Sequence, residues 1–182
     1  PLVRIKVGTS FYDLYPDAST KFVSLSSKIS APIVSYNAAV SVASANALST
    51  IITSSTDATV SIWYDQSGNN VDVLSSNGSA KLITAGSINT LNGYPTIYFN
   101  GSTSFLTSAV NVNYNSQTLA TINAVTKNVA SIDYISGIIS TGNSGGWGLC
   151  YDPTTTIKGY WVDASGGNGA LSNEHTTEAK IV

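Results

Sequence analysis

From Thr59 to Tyr64 the chain alternates in strict period two, with Val60, Ile62 and Tyr64 on one side and Ser61 and Trp63 on the other. Such a run buries one row of side chains only as a pleated strand, because a helix would scatter the same residues around its circumference. Similar short runs recur at residues 2–7, where Val3, Ile5 and Val7 alternate with Leu2, Arg4 and Lys6, and at 21–25, 71–74, 81–84, 96–99, 119–127, 135–140, 148–151 and 157–162. Asp13, Pro16 and Asp17 punctuate the first of them, and Asn, Gly and Ser turns separate the rest. The spacing predicts an antiparallel all-β sandwich or barrel.

One segment has a different period. Between residues 41 and 52 the apolar positions are Val42, Ala45, Leu48, Ile51 and Ile52, and Ser41 is placed to act as an N-cap, so one short helix is predicted there. The chain has no internal repeat and no helical pattern after its first third, which excludes βαβ folds and nucleotide-binding sheets.

Only 10% of the residues are charged, against roughly 25% in ordinary soluble domains, while Ser, Thr and Asn make up about 35%. Hydroxyls and amides therefore carry the solubility, a composition that suits strand faces and turns. The net charge is -2 and the eight basic residues are scattered, the closest pair being Arg4 and Lys6 on one strand face. No electrostatic footprint for nucleic acid exists. The most apolar run, residues 38–48, is interrupted by Ser and Asn and is too short to span a bilayer, so no membrane insertion is expected. Pro1 opens a chain without Met, and no charged segment followed by an apolar one begins it; it reads as a processed piece of a longer polypeptide. Cys150 is the only cysteine, which rules out an intrachain disulfide. Asn77-Gly78-Ser79 and Asn100-Gly101-Ser102 match the N-glycosylation pattern.

Two strings are distinctive. Trp63-Tyr64-Asp65-Gln66-Ser67-Gly68-Asn69-Asn70 ends a strand in a polar turn, in which Asp65 is placed to accept backbone hydrogen bonds from residues ahead of it and Gly68 to take a positive φ. Asn92-Gly93-Tyr94-Pro95-Thr96-Ile97-Tyr98-Phe99-Asn100-Gly101-Ser102 follows, with Phe105 and Leu106 shortly after; Pro95 opens a strand and Asn100-Gly101 makes a hairpin-like turn. In this order and spacing the strings resemble the concanavalin A-like lectin/glucanase superfamily, in particular its LamG-like modules. The first string, from Trp63 to Asn69, is also similar to one in the catalytic domain of α-arabinofuranosidases. The resemblance covers residues 41–140 well and is loose elsewhere. It implies a jelly roll of two curved antiparallel sheets, with a loop-lined face where family lectins bind glycans and family hydrolases cleave them. It also implies modules of large surface, adhesion or viral particle proteins. Family members carry several more strands after the one at 157–162, so the sandwich reads as incomplete at its C-terminal end.

Glycosidases need two carboxyl groups flanking the scissile bond. The chain has eight Asp and two Glu, and both glutamates, Glu174 and Glu178, lie in a polar tail. The Glu-x-Asp-x-x-Glu strand of family glucanases is missing, as is any counterpart of the arabinofuranosidase catalytic glutamate, so no catalytic residue is assigned. Asp65, Gly68 and Asn69 read as a structural turn; Asp65, Asn69 and Asp72 are the weak candidates for a Ca²⁺ site, the one cofactor the oxygens would suit. His175 with Glu178 makes an incomplete zinc site, and Cys150 reads as a buried inert thiol. Trp147, Tyr160 and Trp161 are the candidates for stacking against carbohydrate, beside loops at Gly145-Gly146 and Gly166-Gly167. Tyr98 and Phe99 alternate as core positions, and Trp63 is expected to be buried.

The expectation is one domain spanning 1–182: a non-enzymatic structural or attachment module of a cell surface or virion, extracellular, partnered by other subunits or segments of a larger assembly and by glycans. The alternatives are a free-standing carbohydrate-binding lectin and a glycoside hydrolase.

Overall fold

A computed structural model of the chain describes residues 1–75, 78–108, 110 and 124–127, and the backbone of four strands between 136 and 171. The chain divides into two compact units, Pro1–Gln117 and Thr118–Val182. The first unit contains β1 (Val3–Val7), β2 (Ser10–Leu14), β3 (Lys28–Ser30), β4 (Ala43–Ala47), β5 (Ala58–Trp63) and β6 (Val73–Leu74). It continues through β7 (Lys81–Thr84), β8 (Ser87–Ile88), β9 (Thr90–Leu91), β10 (Tyr94–Pro95) and β11 (Thr107–Ser108). The second contains β12 (Ser136–Ser140), β13 (Trp147–Tyr151), β14 (Ile157–Val162) and β15 (Asn168–Leu171).

In the first unit a nine-stranded sheet runs in the order β11-β6-β5-β1-β2-β3-β4, with β7 pairing β5 and β8 pairing β7, and β9 and β10 form a separate hairpin. Every pairing is antiparallel. The protein is therefore all-β in the described residues apart from one short 3₁₀ turn, and no helix among them is long and apolar enough to cross a membrane.

Register explains which side is the core. Val3 opposes Leu14, Ile5 opposes Val60, and Ala58 opposes Ile83. These residues, with Ile29, Leu48 and Leu82, form the buried cluster. Each large aliphatic side chain buried there contributes roughly 1.5–3 kcal/mol relative to exposure. The other face of β1 and β2 is also covered at one end, where Arg4 opposes Asp13 and Ile62. Val3, Arg4 and Ile5 are consequently all buried in succession, a pattern that alternation alone does not foresee.

Three local expectations are corrected. Residues 41–52 are not a helix: they run extended as β4 against β3, and only Leu48–Thr50 turns, as 3₁₀. Local propensity loses here to longer-range partners. The Ser41 N–H donates to Asp13 Oδ2 (2.8 Å), the Ser41 carbonyl accepts from the Tyr15 hydroxyl, and Ser44 Oγ donates to the Ile29 carbonyl (2.7 Å). Leu48 N–H then bonds Ser27 O, placing Leu48 in the core. Residues 21–25 are a turn, because Asp17 gathers Ser19 and Ser24 and Lys21 adopts a left-handed φ of 65°. Residues 96–99 make only an isolated bridge, Tyr98 to Lys81, and the hairpin of that region is the Asn92-Gly93 turn joining β9 to β10. Residues 119–123 lie outside the described residues, and no strand runs through 124–127.

In the second unit β12 to β15 form a four-stranded meander in sequence order. The strands at 135–140, 148–151 and 157–162 are found there with small shifts of boundary, and β15 adds a fourth.

Candidate functional site

The Asp65 turn is built by its own side chain. Asp65 Oδ1 accepts the Ser67 N–H (2.7 Å), and Oδ2 accepts the Ser67 hydroxyl (2.8 Å) and the N–H groups of Asn69 (3.0 Å) and Val71 (3.1 Å). Gly68 supplies the left-handed step at φ 86° and Asn70 a second at 56°. Asp72 closes the loop by accepting the Asp65 N–H (2.8 Å), and Gln66 ties it to the chain start by donating to the Pro1 carbonyl (3.1 Å). The Ser67 hydroxyl first, then the surrounding N–H donors, lowers the Asp65 carboxyl to about 2. Both Asp65 oxygens and one Asp72 oxygen are thus engaged in the turn itself, and the Asn69 Nδ2 donates to the Ser67 hydroxyl (2.9 Å). Among the described residues no group of three His, Cys, Asp or Glu side chains converges as a metal site.

Trp63, the residue before this turn's tyrosine, is not buried. It is 49% exposed, at the level where its register partners Val3 and Val73 begin their strands. Tyr98 and Phe99 are exposed as well.

A second polar cluster was not foreseen. Arg4 uses all five guanidinium donors: Nε and Nη2 form a bidentate pair with Asp13 (2.8 Å each), Nη1 donates to the carbonyls of Tyr36 and Ala38 (2.6 Å each), and Nη2 donates to that of Ala39 (3.1 Å). Asp13 also accepts the Tyr64 hydroxyl and the Ser41 N–H (2.8 Å each). Both charges are fully buried. Burial raises the Asp13 carboxyl, but Arg4, Ser41 and Tyr64 together hold it below its ordinary value; burial and then Asp13 push the Tyr64 hydroxyl up. The one sequence signal was Arg4 at a position of an apolar strand where Asp13 is its cross-strand partner, and that partnership depends on register.

The loop held by Arg4 presents apolar side chains outward. Val34 is 95% exposed and Val42 83%, with Tyr36 and Val40 about half exposed between them. No charged residue occurs between Lys28 and Asp57. Elsewhere Phe22, from the turn after Asp17, and Tyr94, from β10, meet edge to face at 5.2 Å while both remain exposed.

Each of the five aspartates among the described residues already accepts structural hydrogen bonds: Asp13 from Arg4, Asp17 from Ser19, Asp57 from Lys81, Asp65 from Ser67 and Asp72 from Asp65.

Comparison with known proteins adds nothing to this geometry. No family model, curated protein or solved structure matches the chain.

Of the sequence-predicted positions in the second unit, Trp147 and Trp161 are register partners across β13 and β14, and Tyr160 opposes Gly148 and Ala170. Cys150 opposes Lys158 and Gly137. The loops at Gly145-Gly146 and Gly166-Gly167, and Glu174, His175 and Glu178, lie outside the described residues.

Proposed function

We propose that the chain is a non-catalytic module of a larger extracellular assembly, a cell surface or a virion, with a jelly-roll sandwich of the concanavalin A-like kind as its architecture, and that it works by attachment to other subunits or segments of that assembly. The observation that carries this reading is the charge-free loop bearing Val34, Tyr36, Val40 and Val42, exposed to solvent yet pinned from beneath by a fully satisfied buried charge pair. A loop already ordered before it meets a partner loses less entropy on binding than a mobile one. Exposed apolar side chains grouped on one segment suit a protein contact better than solvent. The use of every described aspartate in local structure supports a binding role over acid–base hydrolysis. The test is a photo-cross-linking residue at position 42 in the assembled source material. Cross-links to other subunits are expected, and their absence under conditions where a buried control position reacts counts against the reading.

Carbohydrate binding is the second reading, favoured by the register that sets Trp147 opposite Trp161. Paired tryptophans at the ends of strands are a common platform for stacking flat apolar faces of ligands. A glycan array run with and without Ca²⁺ tests it, and a binder lost on Trp161→Ala would place the glycan there. Hydrolysis of nitrophenyl-arabinoside or laminarin by the chain would overturn both readings.

A further inference from the structure

We infer that Asn92 is a site of spontaneous covalent modification, in which it closes on Gly93 and opens to aspartate or isoaspartate, while Asn100, which also precedes a glycine, is shielded from the same reaction by its fold. The reaction needs a backbone nitrogen with little steric cover next to a side-chain amide that is free to swing onto it. Gly93 supplies the first: it has no Cβ, sits at φ 81°, and beyond its chain neighbours no heavy atom lies within 4 Å of the place a Cβ would take. Asn92 supplies the second. It is exposed, adopts φ 51°, and its carboxamide makes no hydrogen bond among the described residues. The two residues are the whole connection between β9 and β10, strands of two residues each that pair only with one another. So short a hairpin opens locally at small cost, which lets Asn92 sample the geometry of attack.

The step balances without any catalyst or oxidant. The Gly93 nitrogen gives its proton to solvent base and forms a bond to Asn92 Cγ. The bond from Cγ to Nδ2 breaks, and ammonia leaves with a proton from water. Water then adds to either carbonyl of the resulting five-membered imide, leaving aspartate, or isoaspartate with an extra methylene in the main chain. The second product cannot keep Leu91 opposite Tyr94, the register that now carries the Tyr94 ring to Phe22.

Asn100 has the same neighbour in sequence and a different environment. Its Oδ1 accepts the N–H groups of Ser102 (3.0 Å), Thr103 (2.9 Å) and Ser104 (2.9 Å), and its Nδ2 donates to Thr103 Oγ1 (2.9 Å). Those bonds tie the carboxamide to the turn ahead, so that it is not free to swing. Attack requires several of them to break together, so conversion at Asn100 is at least about tenfold slower.

Peptide mapping by mass spectrometry, with isoaspartate read by a methyltransferase assay, follows the whole chain in warm, mildly alkaline buffer and again in urea. The expected result is conversion at Asn92 about tenfold or more ahead of Asn100 in the folded chain, with the two rates converging in urea, where both residues lose their surroundings. Equal rates in the folded chain, a faster Asn100, or a rate ratio that urea leaves unchanged would overturn the inference. Asn100→Gln, measured in parallel, identifies any product misassigned between the two peptides, and Asn92→Asp supplies the reference for the aspartate product.

Discussion

Arg4 and Asp13 face one another across β1 and β2 as a bidentate pair from which water is wholly excluded, and between them they hold four backbone groups of the loop at residues 36–41. A buried pair of this kind contributes little net stability compared with apolar residues of the same shape, but removing one partner strands the other. Here the loop groups would be stranded too. Asp13→Asn and Arg4→Met are each expected to lower unfolding free energy by about 3–5 kcal/mol in urea titration. The double change Arg4→Met with Asp13→Leu should not recover the loss, because three carbonyls remain without a donor. Hydrogen exchange should quicken in the 36–41 loop. A double variant as stable as the parent would show that the pair does not organise the loop.

Acid sensitivity follows from the carboxylates. Asp65 ionises at about 2 in the folded chain against 3.8 when unperturbed, and Asp13, Asp17 and Asp57 are lowered as well. A lowered folded value means that the stabilisation is complete above the unfolded value and is lost as pH falls through the folded one. Thermal melting points are therefore expected to hold at neutral pH and to fall progressively below about pH 4. Asp65→Asn should melt lower than the parent at neutral pH and close most of the gap as pH falls to about 2, where the parent's own carboxylate is half protonated. A constant gap between the two curves down to that pH would show that charge is not what Asp65 contributes.

Where sequence and structure agree, the information is local. Residues 58–63 form a strand as their period indicates, but the two sides do not hold: a register shift pairs Val60 with Ile5 and Ile62 with Arg4, and Val60, Ser61 and Ile62 are buried in succession. The Asp65 turn is legible because its donors lie within a few residues of the carboxylate. Where they part, the deciding partner is distant in sequence. Nothing near Ser41 signals that Asp13 and Tyr15 will take its N–H and carbonyl, so the spacing of Val42, Ala45 and Leu48 suggests a helix that the chain does not form. Trp63 shares the period of a strand but not its cover, because burial depends on how far the neighbouring strands extend, and Val3 and Val73 stop at its level.

The turn joining β7 to β8 makes a paired prediction of opposite signs. Ala85 (φ 46°) and Gly86 (φ 77°) are both left-handed. Ala85 is held so by Asp57, which accepts its N–H (2.9 Å), and a Cβ in that region costs roughly 1–2 kcal/mol. Ala85→Gly relieves that strain and should stabilise the fold by up to about 1 kcal/mol, after the entropy glycine adds to the unfolded chain. Gly86→Ala should do the reverse, and by more, since the new Cβ would sit 2.3 Å from the Thr53 carbonyl oxygen and 2.8 Å from Ser54 Cα, both backbone atoms that cannot rotate away. Paired urea titrations decide it, and equal effects of the two changes would mean the turn is not held as described.

Strand β4 ends the nine-stranded sheet, and an edge of small uncharged residues, Ala43-Ser44-Ala45-Asn46-Ala47, would ordinarily invite another strand to pair with it. Two features blunt it. Its pairing with β3 is irregular between Lys28 and Ser30, and the Lys28 ammonium reaches over to the Ala45 carbonyl (2.6 Å) while Ser44 Oγ takes the Asn46 N–H (3.1 Å). A strand arriving at this edge would have to displace a cation and leave it beside its own backbone. Lys28→Ala removes the obstacle without touching the core, so the variant should melt close to the parent at low concentration yet self-associate at concentrations where the parent stays monomeric. Sedimentation velocity over a concentration series reads this directly. Lys28→Arg, which keeps a cation at this edge, should behave as the parent; an Arg variant that associates as the Ala variant does would place the contact elsewhere on the molecule.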